Sequence, residues 1–337
     1  MFRKLVTTLG AMAAVMAIAG GASAATTLKI GSLAPADSPW GKGFKRWAAD
    51  VAAATNGELQ LDFQWNGQAG DEVLMVQKIR SGQLDGAAVT AIGLAQTGVT
   101  DVLIFQLPGL FTNWGKLDLA RNAMKDEFGK MFEAKGFTIL GWGDVGAAKT
   151  MTVGFEVHRP SDLQGKGVFA IAGDPVQPKI YSSIGGITPR VLSVAEILPN
   201  LASGAINVLT VPPLAAEQLQ WASRITHIST QTLAFAIGAF IMSSSRLQSL
   251  PAPLRDTLLA KAREMSDSAT VTIRNADAQA YARMKASKIS YDPTEGDRKE
   301  WTDVFVKVAK SLRGSVFTPA IFDKVVQIAQ PPVSLGP

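Results

Sequence analysis

The chain of 337 residues contains no cysteine, which excludes disulfides, thiolate nucleophiles, Cys-zinc sites and iron-sulfur clusters. Histidine is almost as scarce. His158 and His227 are the only two, with no second ligand at metal spacing near either. His158, beside Arg159-Pro160, reads as a solvated loop residue, and His227, in an alternating segment, as a strand-surface residue. Charge is sparse at 18%, and the 33 Lys+Arg and 28 Asp+Glu that leave +5 are scattered. A nucleic-acid footprint would need positive charge gathered on one face, so nucleic acid is not an expected partner. No G-x-S-x-G elbow and no H-E-x-x-H string occurs. The close carboxylate pairs Asp71-Glu72 and Asp126-Glu127 fall at helix starts or on solvated faces, where they serve the helix rather than acid-base chemistry. No catalytic residue, metal ligand or cofactor is expected. What is present is apolar: 47% hydrophobic residues in a length sufficient for two or three domains, hence a globular chain with its own core.

The first 24 residues carry the sharpest local signal. Arg3-Lys4 precede the uncharged, largely apolar run from Leu5 to Ala19, and Ala22-Ser23-Ala24 supplies small residues at a cleavage position. That is the pattern of a secretory signal peptide over residues 1–24, cut after Ala24. The apolar run is shorter than the roughly 20 residues a membrane-spanning helix needs. Beyond it the longest apolar stretch, Leu233 to Met242, is shorter still, so a soluble exported protein is expected.

The remaining chain alternates strand and helix. Leu28-Lys29-Ile30 opens a strand, and Asp37-Ser38-Pro39 places an N-cap before a proline in the first helical turn. Trp40, Phe44, Trp47 and Val51 then recur on one helical face. Leu59, Leu61 and Phe63 alternate with polar residues as a half-buried strand does, Asp71 caps a helix to Arg80, and Leu84 to Thr90 reads as a buried strand. A helix over about 113–135 leads to strands at Phe137–Leu140 and Lys149–Phe155, then at Val168–Ala172. Asp174-Pro175 reads as a helix opening, Ser193-Val194-Ala195-Glu196 as a capping box, and Ile206 to Val211 as a strand. Strand-helix repeats in two blocks predict an α/β protein with parallel sheets in two lobes. The expected organisation is a first lobe over 25–147, a second over 148–232, a return strand over 233–252 and C-terminal helices over 253–337.

One string, Gly141-Trp142-Gly143-Asp144-Val145-Gly146, matches G-x-G-x-x-G after a strand. Pyrophosphate binding needs a helix N-terminus directly after the glycines, whereas Lys149-Thr150-Met151-Thr152-Val153 is mostly β-forming. A Gly-rich crossover between lobes fits better. A two-lobed chain with a cleft and no visible chemistry suits a binder, since open sheets take ligands beyond their strand ends and two lobes can close by a hinge.

Leu28-Lys29-Ile30-Gly31, Gly67-Gln68-Ala69-Gly70-Asp71-Glu72, Leu107-Pro108-Gly109-Leu110-Phe111 and Glu133-Ala134-Lys135-Gly136-Phe137 together resemble the DctP-type extracytoplasmic solute receptors of TRAP transporters. Ser161-Asp162-Leu163-Gln164-Gly165-Lys166, Ile184-Gly185-Gly186, Glu196 to Gly204, the strand ending at Pro212, and Ile241-Met242-Ser243 to Leu250-Pro251 continue the resemblance in the same order. It implies a two-lobe periplasmic-binding-protein architecture of type II with a long helix spanning both lobes, which Pro253 to Ser287 would supply. It also implies capture of a small-molecule ligand in the periplasm and its delivery to a TRAP-type membrane permease.

Two departures from the family bear on the ligand. Members usually carry an arginine on the strand after the D-L-x-G turn, where its fork holds a carboxylate; Phe169 stands there in this sequence. The family's D-G-x-x-N-P pattern is Asn207-Val208-Leu209-Thr210-Val211-Pro212, with Val211 in place of a polar asparagine. Gly173-Asp174-Pro175 matches a divergent branch. Trp40 and Phe169 are expected as apolar walls beside Val211, with Gln68, Thr90, Asp174 and Thr210 as polar contacts and Arg190 or Lys149 as a substitute anion partner. The ligand is then an organic acid or a less polar carbonyl or aromatic compound. Alternatives are an exported partner of a sensor or efflux system and an exported hydrolase. A homodimer through the C-terminal helices stays open.

Overall fold

The computed structural model describes residues 25–333 and Leu335; the expected leader over residues 1–24 lies outside them. The chain runs β1 (Thr26–Ser32), α1 (Pro39–Ala54), β2 (Leu59–Gln64), α2 (Glu72–Arg80), β3 (Gly86–Thr90), α3 (Ala91–Ala95), α4 (Trp114–Ala134) and β4 (Phe137–Thr152). It continues through β5 (Phe169–Ile171), α5 (Gln177–Ile184), β6 (Arg190–Leu192), α6 (Val194–Ala202), β7 (Val208–Val211) and α7 (Pro213–Gln218). The last part comprises β8 (His227–Ser243), α8 (Ser244–Gln248), α9 (Ala252–Ser287), β9 (Ile289–Tyr291), α10 (Glu295–Leu312) and α11 (Pro319–Ala329). Among the described residues no helix is long and apolar enough to cross a membrane.

Seven strands form one sheet in the order β2-β1-β3-β8-β4-β7, with β9 beside β8, and β5-β6 form a second, parallel pair. The sequence predicts parallel sheets. That holds for β1 with β2 and β3, but β8 is antiparallel to both β3 and β4, and β7 to β4. The reason is connectivity: β4 leaves the first lobe and β8 returns to it, so the two neighbours must run in opposite directions. Their 16 and 17 residues reach through both lobes. Gly238 to Met242 of β8 pairs with β3, whereas Lys149 to Thr152 of β4 pairs with β7. Between these ends the pairing slips at Asp144/Gly146 and again at Ala148/Lys149, and such irregularities bend a ladder locally. The boundaries expected from sequence, 147/148 and 232/233, are positions inside these crossing strands.

The glycines around Trp142 explain why β4 reads as two strands in sequence. They do not break it; they admit α9. A Cβ on Gly141 would come within 1.8 Å of Ser266 Oγ, and one on Gly146, at φ +148°, within 2.5 Å of Asp277 Oδ1. The 36-residue α9 packs on α1 at the first lobe, on β4 in the middle and on α7 at the second lobe. Asp277 fastens that contact, accepting hydrogen bonds from Ala147 N at 2.8 Å on β4 and from Leu214 N at 2.9 Å on α7.

The caps form largely as their chemistry dictates. Ser38 Oγ accepts from Gly41 N and Asp71 Oδ1 from Leu74 N, while Ser193 and Glu196 close a capping box. Asp174-Pro175 does not open α5. That helix begins at Gln177 with Pro178 in its first turn, and Asp174 Oδ1 instead accepts from Val176 N at 2.7 Å. In the first lobe Trp47, Phe44, Phe63 and Phe240 form an aromatic core with ring centroids 4.6 Å apart for Phe44 and Phe240. A second cluster around Met151, Phe169, Leu209 and Trp221 forms the core of the other lobe. Each such large side chain contributes about 1.5 to 3 kcal/mol through burial. Trp40, at the start of α1, packs against both clusters.

Candidate functional site

A cavity of about 310 Å³ lies between the lobes. Its walls come from the N-terminus of α1 (Trp40), the end of β3 (Thr90), the crossing strands (Trp142, Asp144), β5 (Phe169, Ile171), the turn at Asp174, and β7 (Thr210, Val211). The structure therefore brings together six residues singled out from sequence: Trp40, Thr90, Phe169, Asp174, Thr210 and Val211. Gln68, Lys149 and Arg190 are not among the wall residues. Gln68 is exposed on the loop before α2, and Arg190 is exposed at the start of β6. Lys149 turns away from the cleft: its Nζ donates to Thr230 O at 2.8 Å and Thr232 Oγ1 at 3.0 Å, and sits 4.3 Å from the centroid of the Tyr281 ring. Burial pushes this ammonium down to about 8.

The walls also include groups that sequence patterns leave unmarked: Glu72, Trp142, Asp144, Gln177, Tyr181 and Trp221. Glu72 reads as one of a helix-start pair, and Trp142 and Asp144 sit inside the Gly-rich string. Only the pairing of α2 against β3, and the unbroken β4, turns them toward the cleft.

Among the described residues the wall holds no lysine, arginine or histidine, yet it holds three carboxylates. Two of them are already engaged. Glu72 Oε1 accepts from Thr90 N at 2.5 Å, and Oε2 from Thr90 Oγ1 at 2.7 Å and Gly93 N at 3.1 Å; burial nonetheless pushes its carboxyl upward. Asp144, with a fully buried side chain, meets Arg121 Nη1 at 2.8 Å and Arg274 Nε at 2.6 Å. Both guanidiniums also grip Asp118, and Arg274 stacks 4.3 Å from the Trp114 ring centroid. Those two cations are thus held in a strut joining α4, β4 and α9 and are not presented to a ligand. The third carboxylate, Asp174, accepts from Val176 N and has no side-chain cation on it among the described residues, and burial pushes it up to about 6.

Few other polar groups face the space. Trp40 Nε1 donates to Asp144 O at 3.2 Å and Tyr181 OH to Phe169 O at 3.0 Å, so both rings present mainly carbon. Gln177 accepts from Ile171 N at 2.9 Å through its oxygen, and its amide nitrogen has no hydrogen-bond partner among the described residues. Ser266 Oγ, on α9, is buried without a partner. At the cleft edge Gln96 Nε2, on the first lobe, donates to Gly173 O at 3.0 Å on the second, beside Asp174. Among the described residues no group of three or more metal-ligating side chains occurs.

The sequence matches the model for bacterial extracellular solute-binding protein, family 7, over residues 30–314. The chain belongs to this family. It is accordingly a solute receptor of the DctP type and not an enzyme. Family members are periplasmic and work with TRAP membrane permease components.

Among curated relatives, the C4-dicarboxylate-binding periplasmic protein DctP of Rhodobacter capsulatus is 24% identical over 287 residues, covering 83% of this chain and 84% of the relative. The sialic acid-binding periplasmic protein SiaP of Vibrio cholerae is 21% identical over 315 residues, covering 91% and 94%. The fold superposes on the sugar acid binding protein DctPAm of Advenella mimigardefordensis, solved with galactonate, at TM-score 0.84 and 16% identity, over 91% of this chain and 98% of that one. A TRAP periplasmic solute binding protein of Ralstonia eutropha H16, solved with acetolactate, gives TM-score 0.82 at 21% identity, over 90% and 98%. These likenesses show the two-lobe periplasmic-binding-protein fold.

Proposed function

We propose that this chain is the exported receptor of a TRAP-type permease for a small, predominantly apolar solute without net negative charge. The single observation that carries this is the cavity wall: aromatic and aliphatic, with three carboxylates and no cation among the described residues. Removing an anion from water costs several kcal/mol even after the protein relaxes, and only a partner of opposite sign or several hydrogen-bond donors offset it. Phe169 and Val211 offer neither. The nearby guanidiniums of Arg121 and Arg274 are neutralised by Asp118 and Asp144. The relatives solved with galactonate or acetolactate hold acids, so this member would differ from them in ligand class within one fold.

In this reading residues 25–147 and 233–252 make one lobe, 148–232 the other, and β4 and β8 are the hinge. Export follows cleavage after Ala24. Trp40, Phe169 and Val211 supply the apolar walls, with Thr90, Thr210 and Asp174 at the polar edge. Membership in a receptor family favours this over an exported hydrolase or a partner of a sensor or efflux system.

The test is a thermal-shift panel on the chain without residues 1–24, comparing uncharged aliphatic and aromatic metabolites with galactonate and succinate. Binding to the folded form adds RT ln(1 + [L]/Kd), about 2.7 kcal/mol at a hundredfold excess over Kd. Uncharged or cationic compounds are expected to give the largest shifts. Larger shifts from the acids would overturn the proposal.

A further inference from the structure

The cavity is more selective than a merely apolar pocket. Of its three carboxylates, Asp144 has each oxygen on a guanidinium, and Glu72 has both oxygens filled by Thr90 and Gly93 donors. Asp174 differs. Its hydrogen bonds come from backbone amides such as Val176 N, no side-chain cation pairs with it among the described residues, and it is only 9% exposed while lining the cavity. A carboxylate drawn into an apolar cavity with no cation beside it is unfavourable in its charged form unless something supplies one. No side chain cation is at hand: Lys149 is engaged behind β4 and Arg190 lies on the surface.

The Asp118-Asp144-Arg121-Arg274 strut is neutral in sum, so it does not cancel the charge of Asp174. Trp40, Phe169 and Tyr181 line the same cavity, and aromatic faces attract cations as carboxylates do. The missing group is a positive donor.

We propose that Asp174 determines specificity by pairing with a protonated amine, so that the solute is a small amine with an apolar body. This deepens the apolar-solute reading of the same cavity and rests on it. The position suits a receptor: Asp174 follows Gly173, whose carbonyl accepts from Gln96 across the cleft, so an ammonium there sits where the two lobes meet. The upward push that burial exerts on Asp174 is relieved by such a partner.

The experiment uses the chain without residues 1–24 and three compounds sharing one body: phenethylamine, phenethyl alcohol and phenylacetate, with butylamine and tryptamine bracketing the size. Titration calorimetry is expected to rank amine above alcohol above acid. The amine should gain about tenfold to a hundredfold over the alcohol, the range of a charge-assisted hydrogen bond. Asp174→Asn retains an oxygen for the Val176 amide and should remove that gain, so that amine and alcohol bind the variant alike. Asp174→Glu, which keeps the charge, should retain part of the amine preference and so separates loss of charge from damage to the turn. An acid bound best overturns both this inference and the proposed function. Alcohol and amine bound equally, both above the acid, overturns this inference alone. The inference also fails if Asp174→Asn keeps the amine preference, or if no amine of the series binds.

Discussion

Replacing Asp174 by asparagine should change how stability responds to pH, and the size of the change follows from burial. The carboxyl titrates near 3.8 when unfolded and near 6 in the folded chain, because desolvation opposes its charge more than its backbone hydrogen bonds favour it. Between those values the native state holds more protons than the unfolded state. Stability therefore falls as pH rises: the contribution is fully present below about pH 4 and is lost as pH passes through about 6. A rise from 3.8 to about 6 corresponds to about 3 kcal/mol. Urea unfolding of the wild type and of Asp174→Asn, measured between about pH 4 and pH 7, isolates this one group. Glu72 and Asp277, whose carboxyls burial also raises, are common to both proteins and cancel in the difference. Wild type should lose about 3 kcal/mol relative to the variant across the window. Parallel curves for the two proteins would refute the claim that Asp174 is a desolvated carboxylate. With a saturating amine ligand the difference should flatten, since the ammonium stabilises the charged form.

Three further outcomes follow from contacts elsewhere. Asp277→Ala leaves the Ala147 and Leu214 amides without their acceptor and should cost about 3 kcal/mol in denaturant unfolding, with Asp277→Asn costing less because one amide keeps an oxygen. Asp144→Asn removes the buried negative charge and one of the two acceptor oxygens between Arg121 and Arg274, and a melting curve should show a loss of about 3 to 5 kcal/mol, the usual result of breaking a buried pair from one side. Phe169→Arg places a cation in a cavity wall that has none among the described residues; in a thermal-shift assay it should create a response to galactonate or succinate that the wild type lacks, and no response would mean that residue 169 does not set ligand charge.

How much of this was legible in the residues can be argued element by element. Amphipathic spacing located α1 through Trp40, Phe44, Trp47 and Val51, and the Asp37-Ser38-Pro39 signal located its start, because these are local signals that tertiary context did not override. The crossing strands were not legible. Gly141, Gly143 and Gly146 argue locally for a break, yet they lie within β4 because α9, more than a hundred residues later in the chain, approaches so closely that side chains at Gly141 and Gly146 would collide with Ser266 and Asp277. The same long-range packing decided the site. A substituted arginine position at Phe169 was visible from the turn before it, and so was the apolar Val211. That Lys149 does not replace the lost cation was invisible, since strand alternation says only that it lies opposite the faces of Ala148 and Thr150, not that Thr230, Thr232 and Tyr281 hold its ammonium behind the sheet. Likewise Glu72 and Asp144 read as a helix start and part of a glycine loop, and their charge reaches the cleft only through the pairing of α2 with β3 and of α9 with β4. A pocket's sign thus depends less on which charged residues the chain contains than on which of them the fold has already paired. In this receptor the guanidiniums of Arg121 and Arg274 are paired and the carboxylate of Asp174 has no cation among the described residues, so an incoming amine completes the set whereas an incoming acid adds a second uncompensated charge.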